Sequence, residues 1–213
     1  AMDGVTSLPR EHFYSMLAKV VPGAVDVPWD AAEWTGFVHL GLFVHRVEGL
    51  EPGLYVLVRD PAKLDFLKAK MNPDFQWSSP PGVPDGLPLY LLKAEDCRGI
   101  SISVSCGQDI AGDGAFSLGM LAEFEPALAK FGAHFYRNLF WETGMIGQIL
   151  YLEAEAWGIR SPGIGCFFDD PVHQAFGLRD YALQSLYHFT VGGPVEDTRL
   201  TPLPAYFHRG RDD

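Results

Sequence analysis

The stretch from Trp157 to Asp170 carries the residues best suited to chemistry. A helical pattern rich in small residues ends at Gly158, and a short apolar turn follows with glycines at 163 and 165. Asp170-Pro171 then starts another helix. Glycines two apart strip side chains from one face of a turn, so a flat ligand could touch backbone N–H groups directly. A hydride-accepting ring nitrogen needs such an uncharged, fixed donor. The simpler alternative is a helix-to-strand connection that needs φ > 0.

Other chemistry is poorly represented. Of the seven histidines, His39 and His45 share strand parity, but six strand residues set them about 20 Å apart, too far to chelate one ion. No HExxH, HxxEH or Cys/His cluster occurs, so no metal site is expected. Ser101, Ser103 and Ser105 alternate without a Gly-x-Ser-x-Gly elbow, which argues against a serine hydrolase. Cys166 precedes a helix N-terminus, where a thiolate is favoured, yet it reads as a small apolar packing residue. Glu153/Glu155 read as a solvated face and Asp169/Asp170 as a helix cap. Arg137 could pair with Glu142 about one turn away.

The chain has 213 residues, enough for one domain with a real core. Its 47% hydrophobic and 20% charged residues describe a globule. With 27 acids against 16 bases the net charge is −11, which argues against nucleic-acid or anionic-membrane partners. No apolar run is long enough to span a membrane, and no signal peptide opens the chain. Cys97, Cys106 and Cys166 form an odd set with no CxxC pair, suggesting reduced thiols and a cytoplasmic location. The opening Ala1-Met2-Asp3-Gly4 reads like the middle of a turn, as in a fragment.

Around the glycine turn, periodicity predicts the following elements. Ser7 caps a first helix with Pro9 in its first turn, and Phe13, Met16, Leu17, Val20 and Val21 form its apolar side before Pro22-Gly23. Residues 37–47 form a buried strand, 48–53 a turn, and Leu54–Arg59 an antiparallel second strand. Asp60-Pro61 opens a helix, 72–88 is a loop or lid, and strands follow at Leu89–Lys93 and Ile100–Cys106. Ala115–Phe131 reads as a helix kinked at Pro126. The longest helix runs from about His134 to Trp157, and Ser185–Val191 is the last strand before an extended tail from Gly192-Gly193-Pro194. The fold class is α+β, a mixed or antiparallel sheet flanked by helices around a long, buried central helix. Each interior glycine of that helix, Gly144 and Gly147, costs roughly 1 kcal/mol relative to alanine, an expense that close helix–helix or subunit packing would offset.

At these residues the chain resembles the nitroreductase superfamily of flavin-dependent oxidoreductases, nearest its azoline (thiazole/oxazole) dehydrogenase branch. The likeness is carried by Tyr136-Arg137, by residues 142–152, by Ala154-Glu155-Ala156-Trp157-Gly158-Ile159, and by Gly163-Ile164-Gly165-Cys166-Phe167 with Asp169-Asp170. Residues 47–55 and the closing 186–192 also fit. The resemblance implies a single nitroreductase-like domain over 1–213, a homodimer around the long helix, and FMN at the interface. Gly163, Ile164, Gly165 and Cys166 would then face the flavin, Arg137 would approach its polar end, and Arg209, or else Arg211, would hold its phosphate. Hydride would pass to the flavin from NAD(P)H or from an azoline-type small-molecule substrate.

Two departures from that pattern stand out. Nothing matches the family's N-terminal Arg-Arg-Ser signature for the FMN phosphate. Residues 30–36 replace its Pro-Ser segment, with Glu33 and Trp34 where phosphate and ring would lie. The alternative reading is a flavin-less domain of this fold, serving dimerisation or forming the non-catalytic half of a tandem protein.

Overall fold

Every residue of β1 (Val38–Val44) is buried, so this strand must be covered on both faces. In the computed structural model, which describes residues 1–23, 27–34 and 36–209, α1 (Arg10–Lys19) precedes it. β1 pairs antiparallel with β2 (Gly53–Leu57), Leu40 opposite Leu57 and Val44 opposite Gly53. After α2 (Leu64–Lys70), β3 (Leu89–Ala94) adds to the outer edge of β2. α3 (Arg98–Val104) and α4 (Ile110–Asp113) lead to β4 (Phe116–Glu123), which pairs with the other side of β1. α5 (Phe124–Phe131) and α6 (Tyr136–Ala156) follow. The short β5 (Gly163–Ile164), α7 (Asp169–Phe176) and β6 (Leu183–Val191) complete a sheet of order β3-β2-β1-β4-β6-β5, antiparallel throughout.

Strand parity divides the core in two. Val38, Leu40, Leu42 and Val44 face a cluster built with α1 and α6, while Phe43 faces one built with α2, α3 and α7. Gly41 shows how tightly the second layer seats, since a Cβ there would stand 2.6 Å from the Phe176 ring.

Four expectations need correction. Ile100–Cys106 lies mostly in helix α3, because the residues that bury are Cys97, Ser101, Val104 and Ser105 at helical spacing, and the Ser101 hydroxyl bonds back to the Arg98 carbonyl at 2.7 Å. Ala115–Phe131 divides into β4 and α5: the continuous apolar run to Glu123 fits a strand buried on both faces, and Pro126 sits in the first turn of α5. Ser7 caps nothing, since α1 starts after Pro9 without a side-chain cap. The long helix is not buried on most sides. Trp141 is 51% exposed and Leu152 60%, so one stripe of α6 stays open.

Candidate functional site

α6 closes with a paired set of backbone bonds around Gly158, at φ +71: Gly158 N–H donates to Glu155 O and Ile159 N–H to Ala154 O at 3.0 Å. That cap turns the chain back along the sheet. Arg160 exchanges both backbone bonds with Gly192, the Ser161 hydroxyl donates to Leu150 O at 3.0 Å, and Pro162 O accepts from Thr190 N–H. The bend at 163–168 is therefore fastened to the C-terminal half of α6 and to β6.

The two glycines of the bend do different work. Gly163 donates its N–H to the Tyr151 hydroxyl at 3.0 Å, and a Cβ on it would stand 2.6 Å from the Tyr187 hydroxyl. Its bareness accommodates Tyr187. Gly165 is exposed, with Tyr187 at 3.7 Å from its virtual Cβ. Among the described residues the N–H groups of Gly165 and Cys166 donate to no acceptor. Two successive free donors on an exposed, partly bare bend suit a planar acceptor. A cavity of 430 Å³ opens where the bend begins, lined by Ile110, Tyr151, Glu155, Arg160, Pro162 and Pro194, and neither Gly165 nor Cys166 lines it.

Beyond Gly165 the bend is pinned to the turn after α3. Cys166 is disulfide-bonded to Cys106, with Cα atoms 5.8 Å apart, which corrects the expectation of reduced thiols and of Cys166 as a mere packing residue. The Gln108 amide donates to Cys166 O at 3.2 Å, and Phe168 N–H donates to Val104 O at 2.8 Å. Phe167 stacks on His188 with centroids 4.5 Å apart. His188 lies between the Ser105 and Ser185 hydroxyls at 3.1 Å each, and burial brings its pKa down to about 4, leaving it neutral. Cys106, Gln108, Tyr151, Tyr187 and His188 were all missed by sequence reasoning, because no spacing connects them to the glycines.

The charged candidates lie elsewhere. Arg137, in the first turn of α6, holds its guanidinium 5.3 Å from the Trp141 ring. It stands fourteen residues, or about 21 Å along the helix, from Tyr151. It does not pair with Glu142, which is buried against the Arg59 guanidinium and also accepts N–H bonds from Gly36 at 2.9 Å, Phe37 and Val38. The other buried carboxylate, Glu123, bonds His39 at 3.2 Å and Lys63 at 2.6 Å. Burial pushes that carboxyl up, but these bonds outweigh it and hold the group below its ordinary range. Nδ1 of His39 accepts Arg59 N–H at 3.1 Å, so neither ring nitrogen is spare. Trp34 packs near Trp141, ring centroids 5.9 Å apart. Arg209 ends a short 3-10 turn, Phe207–Arg209, and Arg211 lies outside the described residues.

The description "Nitroreductase family" matches residues 54–193. A protein from Anabaena variabilis assigned as a nitroreductase superimposes with TM-score 0.70 and 20% identity, over 92% of this chain and 36% of its own. The Escherichia coli microcin synthetase McbBCD, solved with truncated pro-MccB17 bound, gives TM-score 0.63 and 17% identity over 92% of this chain and 67% of that one. A Ralstonia eutropha protein of the first kind gives 0.59 and 14%, over 92% and 78%. The chain thus spans little more than a third of the Anabaena protein. No curated protein matches it. Among the described residues no helix is long and apolar enough to cross a membrane.

Proposed function

Starting from a chain that belongs to the nitroreductase family, we propose an FMN-dependent oxidoreductase that works as a homodimer built on α6. One observation carries the reading: two successive residues of an exposed bend, Gly165 and Cys166, have N–H groups with no acceptor among the described residues. They would hold the polar edge of the flavin ring, with Gly165 leaving room for its plane. Bound there, FMN would supply a hydride acceptor for NAD(P)H or an azoline-type small-molecule substrate. Tyr151 holds Gly163, and the disulfide with Gln108 holds Cys166, so the donors are fixed before any ligand arrives.

The proposed dimer gives Arg137 a route to the bend. One protomer cannot bring it to the bend. Trp141, Tyr151 and Leu152 leave an apolar stripe exposed on α6, and nothing stands within 4 Å of a Cβ placed on Gly144. Arg137 and Tyr151 each lie seven residues, about 10 Å, from Gly144. An antiparallel partner helix crossing there would set Arg137 of the partner subunit beside Tyr151, where a cation could meet the cofactor's polar end. Arg209 remains the proposed phosphate ligand on residue type alone.

The test is the colour of the purified protein. A yellow protein that releases FMN on denaturation, and loses FMN binding on Gly165→Val, supports the reading. Retained affinity in that variant would mean the ring lies elsewhere. A colourless protein that refuses added FMN leaves the second reading, a flavin-less dimerisation domain, which Trp34 packed near Trp141 favours.

A further inference from the structure

We propose that Cys106 and Cys166 are a redox-active pair, a thiol-exchange site at which an external dithiol unlatches the bend at 163–168. Its consequence for cofactor binding rests on the reading above; the latch itself does not.

Three observations lead there. The disulfide joins two short turns sixty residues apart in sequence, and one of them presents the free N–H groups of Gly165 and Cys166. Cys166 is exposed and Cys106 half-buried, so an incoming thiolate can reach the bond. Cys106 also holds φ +57, a left-handed conformation that side chains disfavour and that a freed Cys106 can leave. The third cysteine is no competitor. Cys97 is buried with Sγ 3.3 Å from Gly53 O, and burial pushes its thiol up to about 12.

The exchange balances as follows. A thiolate of the external dithiol attacks Sγ of Cys166, the S–S bond breaks, and Cys106 leaves as a thiolate that takes a proton from water. The second thiol of the dithiol then attacks the mixed disulfide and releases Cys166 as a thiol. The external dithiol departs as a disulfide, having transferred two electrons and two protons to the pair. The bond from Phe168 N–H to Val104 O and the stacking of Phe167 on His188 do not run through the disulfide, so the release should be confined to the stretch around Gly165 and Cys166 and the turn after α3.

Dithiothreitol serves as the probe, with differential alkylation and peptide mapping. Untreated protein should yield a joined Cys106/Cys166 peptide, and treated protein two labelled cysteines with Cys97 unlabelled. Amide exchange at Gly107, which bonds Ile102 O at 2.9 Å, should rise about tenfold on reduction, while exchange at Phe168 stays unchanged. Cys106→Ser should show the raised rate without reductant. Equal rates in oxidised, reduced and Cys106→Ser protein, or cysteines that stay unjoined after treatment with oxidised glutathione, would overturn the proposal. These measurements need no FMN, so a protein that never binds flavin defeats the functional reading while leaving the latch decided. Where FMN does bind, its affinity should fall on reduction.

Discussion

The two halves of α6 solve opposite problems. Near its start, Glu142 is wholly buried, locked to Arg59 and to three backbone N–H groups of the segment entering β1. Near its end, Tyr151 reaches out to a bend whose next donors are exposed and unpaired. Every polar atom of the Glu142 carboxylate is used, which makes that half a fixture of the fold. Donors are left over at the other half, and leftover donors are where a ligand can contribute binding energy.

The largest effect that would test this contrast lies in the buried pair. Arg59→Met or Glu142→Leu alone should destabilise by about 3–5 kcal/mol in urea denaturation, because each strands a charge in the core. Gly165→Val at the other half should change stability by less than about 1 kcal/mol while removing FMN. If the two substitutions cost the same, the division between fixture and site fails.

Acid should come next. His188 and His45 are both buried and neutral, with pKa lowered from 6.5 to about 4 by loss of water. Below pH 6.5 the unfolded chain takes up protons that the folded one refuses, so stability falls as pH drops from 6.5 towards 4 and is complete above that window. Each histidine contributes up to about 3 kcal/mol to that loss. His188→Gln should flatten the pH dependence of the melting temperature by its share. An unchanged slope would mean the ring under Phe167 titrates like a free histidine.

Much of this was legible before any coordinates. The α+β class, the antiparallel pairing of the first two strands and the long helix followed from periodicity, and the order of helix, glycine turn and Asp-rich helix start stood out because Gly158 holds a left-handed backbone and Gly163 has no room for a Cβ. Two elements were misread for physical reasons. Ile100, Ile102 and Val104 alternate with serines by coincidence, since the stripe that buries is Cys97, Ser101, Val104 and Ser105. Residues 116–123 are buried on both faces, and such a run lacks the alternation that separates strand from helix. The partner of Glu142 stands 83 residues away at Arg59, and Cys106 stands 60 from Cys166. Nothing local records either distance.

The smallest expected effect separates the glycines of α6 themselves. A Cβ on Gly147 would lie 3.2 Å from the Phe189 ring, so that glycine lets the sheet approach the helix. Gly144 faces open space, and within one protomer nothing opposes a side chain there. Gly144→Ala should therefore stabilise the isolated protomer by about 0.5–1 kcal/mol, through helix propensity and a less flexible unfolded chain. In the proposed dimer the same position is the crossing point, so Gly144→Leu should weaken association in sedimentation measurements while leaving the protomer folded. Gly147→Ala strains only the Phe189 contact and should leave association alone. Were Gly144→Leu to leave association untouched, the helices would not cross there, and Arg137 would lose its route to the bend.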